Sequence, residues 1–126
     1  MNRKLKNDEL GRLSSAEFKR AGKLPLIVLL DNVRSLHNVG SVFRTCDAFL
    51  VEKLYLCGYT GAPPNKEINK TALGATESVD WKHEKDIISL ILALKAQKIA
   101  VFAIEQAENA VFLENFAVQK NQTETL

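Results

Sequence analysis

The sequence predicts an α/β fold with a mostly parallel sheet flanked by helices. Two observations carry that prediction. Short apolar runs alternate with stretches of helical periodicity from residue 24 onward, and strands that alternate with helices run parallel because each helix serves as the crossover. The first run, LPLIVLLD at 24–31, is continuously apolar and rich in Ile, Val and Leu. Such a run fits a strand covered on both faces.

The elements are read in chain order. Residues 8–20 are expected to be helical, with Ser14 and Glu17 in the S-x-x-E spacing of a capping box. LPLIVLLD is the first strand and DNVRSLH (31–37) a polar loop. Asn38 is read as the N-cap of a second helix, since its side-chain oxygen can accept an orphan backbone N–H. Val39, Val42, Phe43, Cys46, Phe49 and Leu50 then recur at helical spacing. KLYLC (53–57) reads as a second strand, and GYTGAPPNKE (58–67) as a loop dense in Gly and Pro. INKTALGAT (68–76) reads as a short helical turn broken by Gly74, and Val79–Trp81 as a brief third strand. EKDIISLILALKAQ (84–97) is a helix with a wide apolar face, and KIAVFAIE (98–105) is expected as a fourth strand. Residues 106–117 turn into a short helix or strand.

Composition narrows the function classes. Of 126 residues, 46% are hydrophobic and 25% charged, as in an ordinary globular domain. No apolar run reaches the roughly 18 residues of a membrane span, and the start MNRKLKNDELGRL has no secretory h-region. Cys46 and Cys57 sit in apolar surroundings without CxxC spacing, so they read as reduced core thiols of a cytoplasmic protein. His37 and His83 have no further ligands near them in sequence, so no metal is expected. No G-x-G-x-x-G follows the first strand and there is no P-loop.

The charge is unevenly placed. The chain carries a net +2, yet residues 1–23 hold seven basic residues against three acidic ones. This divides the chain into a basic amino-terminal arm (1–23) and an α/β body (24–126). A basic arm suits a polyanion partner, although a solvated helix without a partner has the same composition. In the body, Asn38, Gly40 and Arg44 place a cap, a bare backbone patch and a guanidinium around one helix start. Free N–H groups at helix starts favour phosphate. By helical spacing, Arg44 points away from the apolar stripe.

Asn38 to Thr45, N-V-G-S-V-F-R-T, resembles the first signature motif of the SpoU (TrmH-like) branch of the SPOUT methyltransferases, Asn-x-Gly-x-x-x-Arg followed by Thr or a small residue. KTALGATESVDW (70–81) resembles the family segment with Ser or Thr, two residues and Gly-Ala before a short strand. KIAVFAIE resembles the strand before its first cofactor loop. The likeness spans about residues 24–118.

The resemblance implies methyl transfer from S-adenosylmethionine to a ribose 2′-hydroxyl of tRNA or rRNA, by a homodimer with a knotted carboxyl half. It implies Arg44 and Asn38 as catalytic residues. RNA contacts are implied at Asn38, Gly40, Arg44 and Thr45, with the arm residues Arg3, Lys4, Lys6 and Arg12 expected to add phosphate contacts. Ile104, Glu105 and Gln106 would touch the cofactor. The family's second and third motifs, a Gly-x-Glu loop and an Ile-Pro segment, are not found, and only ten residues follow Phe116. The expectation is therefore a SPOUT-like fold, incomplete at the knot, in a shortened form of the enzyme. The alternatives are a non-catalytic RNA-binding or dimerisation module of the same fold, and an unrelated small α/β domain of response-regulator type. The last would need acidic metal ligands, for which Asp31 and Glu105 are the candidates.

Overall fold

The computed structural model describes residues 22–118. The expected helix at 8–20 and the arm residues Arg3, Lys4, Lys6 and Arg12 lie outside them.

Strand β1 (Leu24–Asp31) leads into helix α1 (Leu36–Ala48), strand β2 (Val51–Cys57), helix α2 (Lys66–Ala72) and the single turn α3 (Ala75–Ser78). Strand β3 (Trp81–Glu84), helix α4 (Ile87–Ala96) and a 3-10 turn at Leu113–Asn115 follow. The three strands form one parallel sheet in the order β1-β2-β3. The predicted α/β class with a parallel sheet is the observed one.

The core lies between the sheet and α1–α3. Val39, Phe43, Leu54, Leu56 and Ile68 are fully buried, and Phe43 meets Trp81 edge to face at 6.2 Å between ring centroids. Leu26, Val28 and Leu30 of β1 pack on this core, whereas Ile27 and Leu29 alternate away from it and stay partly exposed. Side chains alternate between the two faces of a strand, so β1 is well covered on one face only, and the expected two-sided cover is corrected.

Local chemistry sets the element ends. The N-cap of α1 is Ser35, whose Oγ accepts the Asn38 N–H at 3.2 Å. Asn38, the expected cap, therefore sits inside the first turn, three residues after the actual cap. Phe49 and Leu50 lie beyond the helix: Phe49 is exposed and Leu50 takes a left-handed φ of 55°. Asn65 caps α2, accepting the N–H groups of Glu67 and Ile68 at 2.8 and 3.1 Å. The expected break at Gly74 is real. Leu73 and Gly74 both take positive φ, 51° and 89°, which ends α2 and starts α3.

The expected fourth strand at 98–105 is not formed. Lys98 takes a left-handed φ of 64° and the Ile99 N–H returns to the Leu94 carbonyl, closing the end of α4. Residues 99–106 then run on without a ladder. Strand composition expresses itself only where a neighbouring strand supplies hydrogen bonds and packing.

Candidate functional site

The site grows from the carboxyl ends of β1 and β2. Asn32 follows β1 in a left-handed conformation (φ 52°), and its Oδ1 accepts the Tyr59 N–H at 2.8 Å. Thr60 is buried, and its hydroxyl oxygen accepts the Val33 N–H at 3.0 Å. The same oxygen lies 2.7 Å from the Cys57 carbonyl and 3.0 Å from that of Leu30, either of which can take its one proton. The loop after β1 is thus tied to the loop after β2, and the direction in which α1 leaves the sheet is fixed.

Helix α1 then presents two strips. At 3.6 residues per turn, Asn38 and Thr45 lie within about 20° of one another, as do His37 and Arg44. Asn38, Ser41 and Thr45 are exposed, and the Thr45 hydroxyl donates to the Ser41 carbonyl at 3.0 Å. Arg44 sits at the rim of the buried arc, partly covered, rather than pointing straight into solvent as the spacing suggested. It makes no hydrogen bond or ion pair with any other described residue.

Gly40 faces α2. A Cβ there would come 2.0 Å from Thr71 Oγ1 and 2.3 Å from the Ile68 carbonyl oxygen. The missing side chain is what lets the two helices meet. Gly40 is buried, and the contact the structure gives it is one between helices. Across the same seam, the Thr71 hydroxyl donates to the His37 carbonyl at 2.8 Å, and His37 Nε2 lies 3.0 Å from Glu67 Oε2. Lys70 closes on the other Glu67 oxygen at 3.0 Å. The Glu67 carboxyl is held below its ordinary pKa by hydrogen bonds from Lys70 first and His37 second. Ser78 Oγ donates to Asp47 at 3.0 Å, tying α3 to the last turn of α1.

Asn38 and Thr45 therefore share one exposed strip of α1, and Arg44 lies on the adjacent strip, about 120° round the helix from Asn38. Ile104, Glu105 and Gln106 are not drawn into any cavity. Ile104 is wholly exposed, and the Gln106 N–H is taken by the adjacent Glu105 carboxylate at 2.8 Å. Among the described residues they line no cavity. A shallow depression bordered by Lys23, Glu52, Ser78 and Asp80 lies at the amino ends of β2 and β3, the opposite end from the site. Among the described residues no three metal-ligating side chains cluster, and no helix is long and apolar enough to cross a membrane. Cys46 and Cys57 are buried and unpaired, each thiol pushed up to about 11 by burial, Cys57 also by the charges of Asp31 and Glu84.

Sequence reasoning missed Ser35, Thr60 and Glu67, and saw Thr71 only as the Thr of the family-like K-T-A-L-G-A segment. Ser35 was findable as a second capping residue three positions before Asn38. The contacts of the others reach partners about 30 residues away, which no local pattern reveals.

Comparisons with known proteins bear on this arrangement. The model of the SpoU rRNA Methylase family matches residues 25–124. A tRNA (guanosine(18)-2′-O)-methyltransferase of Thermus thermophilus is 31% identical over 102 residues, 81% of this chain and 52% of that protein. A 23S rRNA (guanosine-2′-O-)-methyltransferase, RlmB of Vibrio parahaemolyticus, is 32% identical over 75 residues, 60% of this chain and 30% of that protein. The crystal structure of the TrmH/SpoU tRNA modifying enzyme of A. aeolicus superposes with a TM-score of 0.55 at 26% identity, covering 67% of this chain and 45% of that one. The chain thus spans about half the length of the Thermus relative and a third or less of the RlmB protein.

Proposed function

The chain belongs to the SpoU rRNA methylase family, and from that premise we propose that it serves RNA ribose 2′-O-methylation, with Arg44 and Asn38 on α1 meeting the RNA. The observation that carries this reading is Arg44 itself. It is a partly covered guanidinium with no partner among the described residues, on the strip of α1 next to exposed Asn38 and Thr45. A cation without a counter-charge among the described residues is suited to a phosphate, which a guanidinium grips with two parallel N–H bonds.

The ribose hydroxyl must lose its proton as its oxygen becomes a nucleophile. Arg44 as the base is costly, because a neutral guanidinium at pH 7 costs roughly 9 kcal/mol from its reference pKa. Arg44 therefore holds the phosphate beside the acceptor ribose and stabilises negative charge on the 2′-oxygen, while the proton leaves to phosphate or water. Asn38 and Thr45 orient the nucleotide from the adjacent strip. The basic arm, Arg3, Lys4, Lys6 and Arg12, adds phosphate contacts and a steep salt dependence.

S-adenosylmethionine is the methyl donor implied by the family. Ile104, Glu105 and Gln106, the residues expected beside it, stand exposed, and no step here is routed through it. That open arrangement favours a second reading, an RNA-binding or dimerising module without catalysis of its own. The proposal includes a second copy of the chain as partner, and the two buried free thiols suit a reducing, cytoplasmic setting.

The test is methyl transfer from labelled S-adenosylmethionine to unmodified tRNA and rRNA transcripts, with calorimetric titration of the donor alongside. Turnover that falls at least about 100-fold in Arg44→Ala and stays low in Arg44→Lys supports the two-pronged guanidinium. Near-normal turnover in Arg44→Lys sinks that role. Arg44-dependent RNA binding with neither donor binding nor turnover selects the non-catalytic module.

A further inference from the structure

Building on that reading, we propose that Thr71 is a positioning residue of the RNA site. Its hydroxyl lies where residue 40 lacks a Cβ, holds the His37 carbonyl and thereby fixes the turn of α1 that carries Asn38 and leads to Arg44.

The geometry is specific to these groups. Thr71 Oγ1 has two carbonyls in reach, His37 at 2.8 Å and Ile68, in its own helix, at 3.4 Å. A hydroxyl carries one proton, and the shorter bond is the stronger. The proton therefore goes across the seam rather than back into α2. The His37 ring is held by Glu67 of the same helix at 3.0 Å. The residue just before Asn38 is thus held by both backbone and side chain, and both holds come from α2. Gly40 makes this possible, since the position of its absent Cβ lies 2.0 Å from the Thr71 oxygen.

The contrast with the neighbouring groups gives this anchoring a purpose. The side chains of Asn38 and Arg44 make no bond to another described residue, while the backbone beneath Asn38 is bound from outside its helix. Free recognition groups on a pinned backbone are what a preorganised site requires, because a displacement of about 1 Å is costly to recognition and reaction alike. The glycine of Asn-x-Gly-x-x-x-Arg and the threonine of K-T-A-L-G-A then form one device, contributed from the two sides of the seam.

The experiment uses the whole chain, an unmodified tRNA transcript as probe, and the variants Thr71→Val, Thr71→Ser, Arg44→Ala and Thr71→Val/Arg44→Ala. Valine keeps the shape and removes the hydroxyl; serine restores it. RNA affinity is read by fluorescence anisotropy and amide exchange by mass spectrometry. Thr71→Val is expected to weaken binding by about three- to tenfold, the worth of one hydrogen bond. It should also raise exchange in residues 39–45 without changing β2 and β3. Thr71→Ser should recover both. In the double variant the loss should be smaller than the two single losses combined, since the pinned turn positions Arg44 as well as Asn38.

Unchanged exchange in Thr71→Val overturns the proposal. So does raised exchange with unaltered RNA affinity, an additive double variant, or a serine that fails to recover binding, any of which makes Thr71 a structural residue only. Wild-type binding that does not depend on Arg44 removes the proposed function and this inference with it. Arg44-dependent binding that ignores Thr71 removes the inference alone.

Discussion

Of two regions of this molecule, the more apolar is the less buried. In the body formed by β1 to β3 with α1 to α3, Val39, Phe43, Leu54, Leu56 and Ile68 are fully buried. In the region from α4 to residue 118, Leu94 alone is buried, Ile88 and Leu92 of α4 are each 63% exposed, and Ile104 is fully exposed. The tail's aromatic contact is a pair within itself, Phe102 edge-on to Phe116 at 4.8 Å. The difference lies in arrangement. Helix α1 buries Val39, Gly40, Phe43 and Cys46 along one arc and keeps Asn38, Ser41 and Thr45 on the other. Helix α4, IISLILALKA, is apolar almost all round. A helix with one apolar stripe specifies which face packs, whereas one apolar on every side specifies none.

The sharpest way to break that comparison is to mutate both regions. Phe43→Ala removes a fully buried ring that meets Trp81 and should cost about 3–5 kcal/mol in denaturant unfolding. Leu92→Lys, in the exposed region, should shift stability by no more than about 0.5 kcal/mol. Equal effects at the two positions would mean that α4 is packed as firmly as α1, and the contrast would be wrong.

Gly40→Ala comes next in size and separates helix propensity from packing. Alanine favours an isolated helix over glycine by about 1 kcal/mol. The added Cβ, however, would lie 2.3 Å from the Ile68 carbonyl oxygen, a backbone atom that cannot swing aside as the Thr71 hydroxyl can. Overpacking typically costs about 1–3 kcal/mol, and a contact this close belongs at the upper end, so the clash wins. Removing the hydroxyl with Thr71→Ala should not rescue Gly40→Ala, because Ile68 remains. A rescued double variant would show that Thr71 alone demands the glycine.

The same contrast explains what the sequence disclosed. β1, α1 and β2 were readable because each apolar run ends at a polar cap or turn, and their packing partners lie within the next few dozen residues. Asn38 and Arg44 were singled out through spacing and family likeness, and the structure leaves both side chains without a bond to another described residue. The cap was misplaced because Ser35 and Asn38 are both good caps three residues apart, and only the structure shows that the Ser35 oxygen takes the Asn38 N–H. KIAVFAIE was misread because composition reports strand propensity and says nothing of whether a neighbouring strand is there to pair. The bonds of Thr60 and Thr71 were invisible because a threonine's partner 30 or 34 residues away leaves no periodicity behind.

The smallest expected effect tests whether the α1–α2 seam owes anything to charge. Glu67 bridges His37 and Lys70, and its folded pKa lies below the ordinary carboxylate value, chiefly through Lys70. A depressed carboxylate contributes stability that is fully present above the unfolded pKa of about 4.3 and is lost as pH falls through the folded value. Thermal unfolding of the wild type and Glu67→Gln should therefore differ by a constant amount from pH 7 down to about 5 and converge as pH falls on through the depressed folded value. The gap should be small and shrink with salt, since all three side chains are well exposed. A large, salt-resistant gap would instead make the ionic bridge the main fastening of the seam. In that case Thr71→Val should cost little, and the turn beneath Asn38 would be held by the His37 ring rather than by the His37 carbonyl.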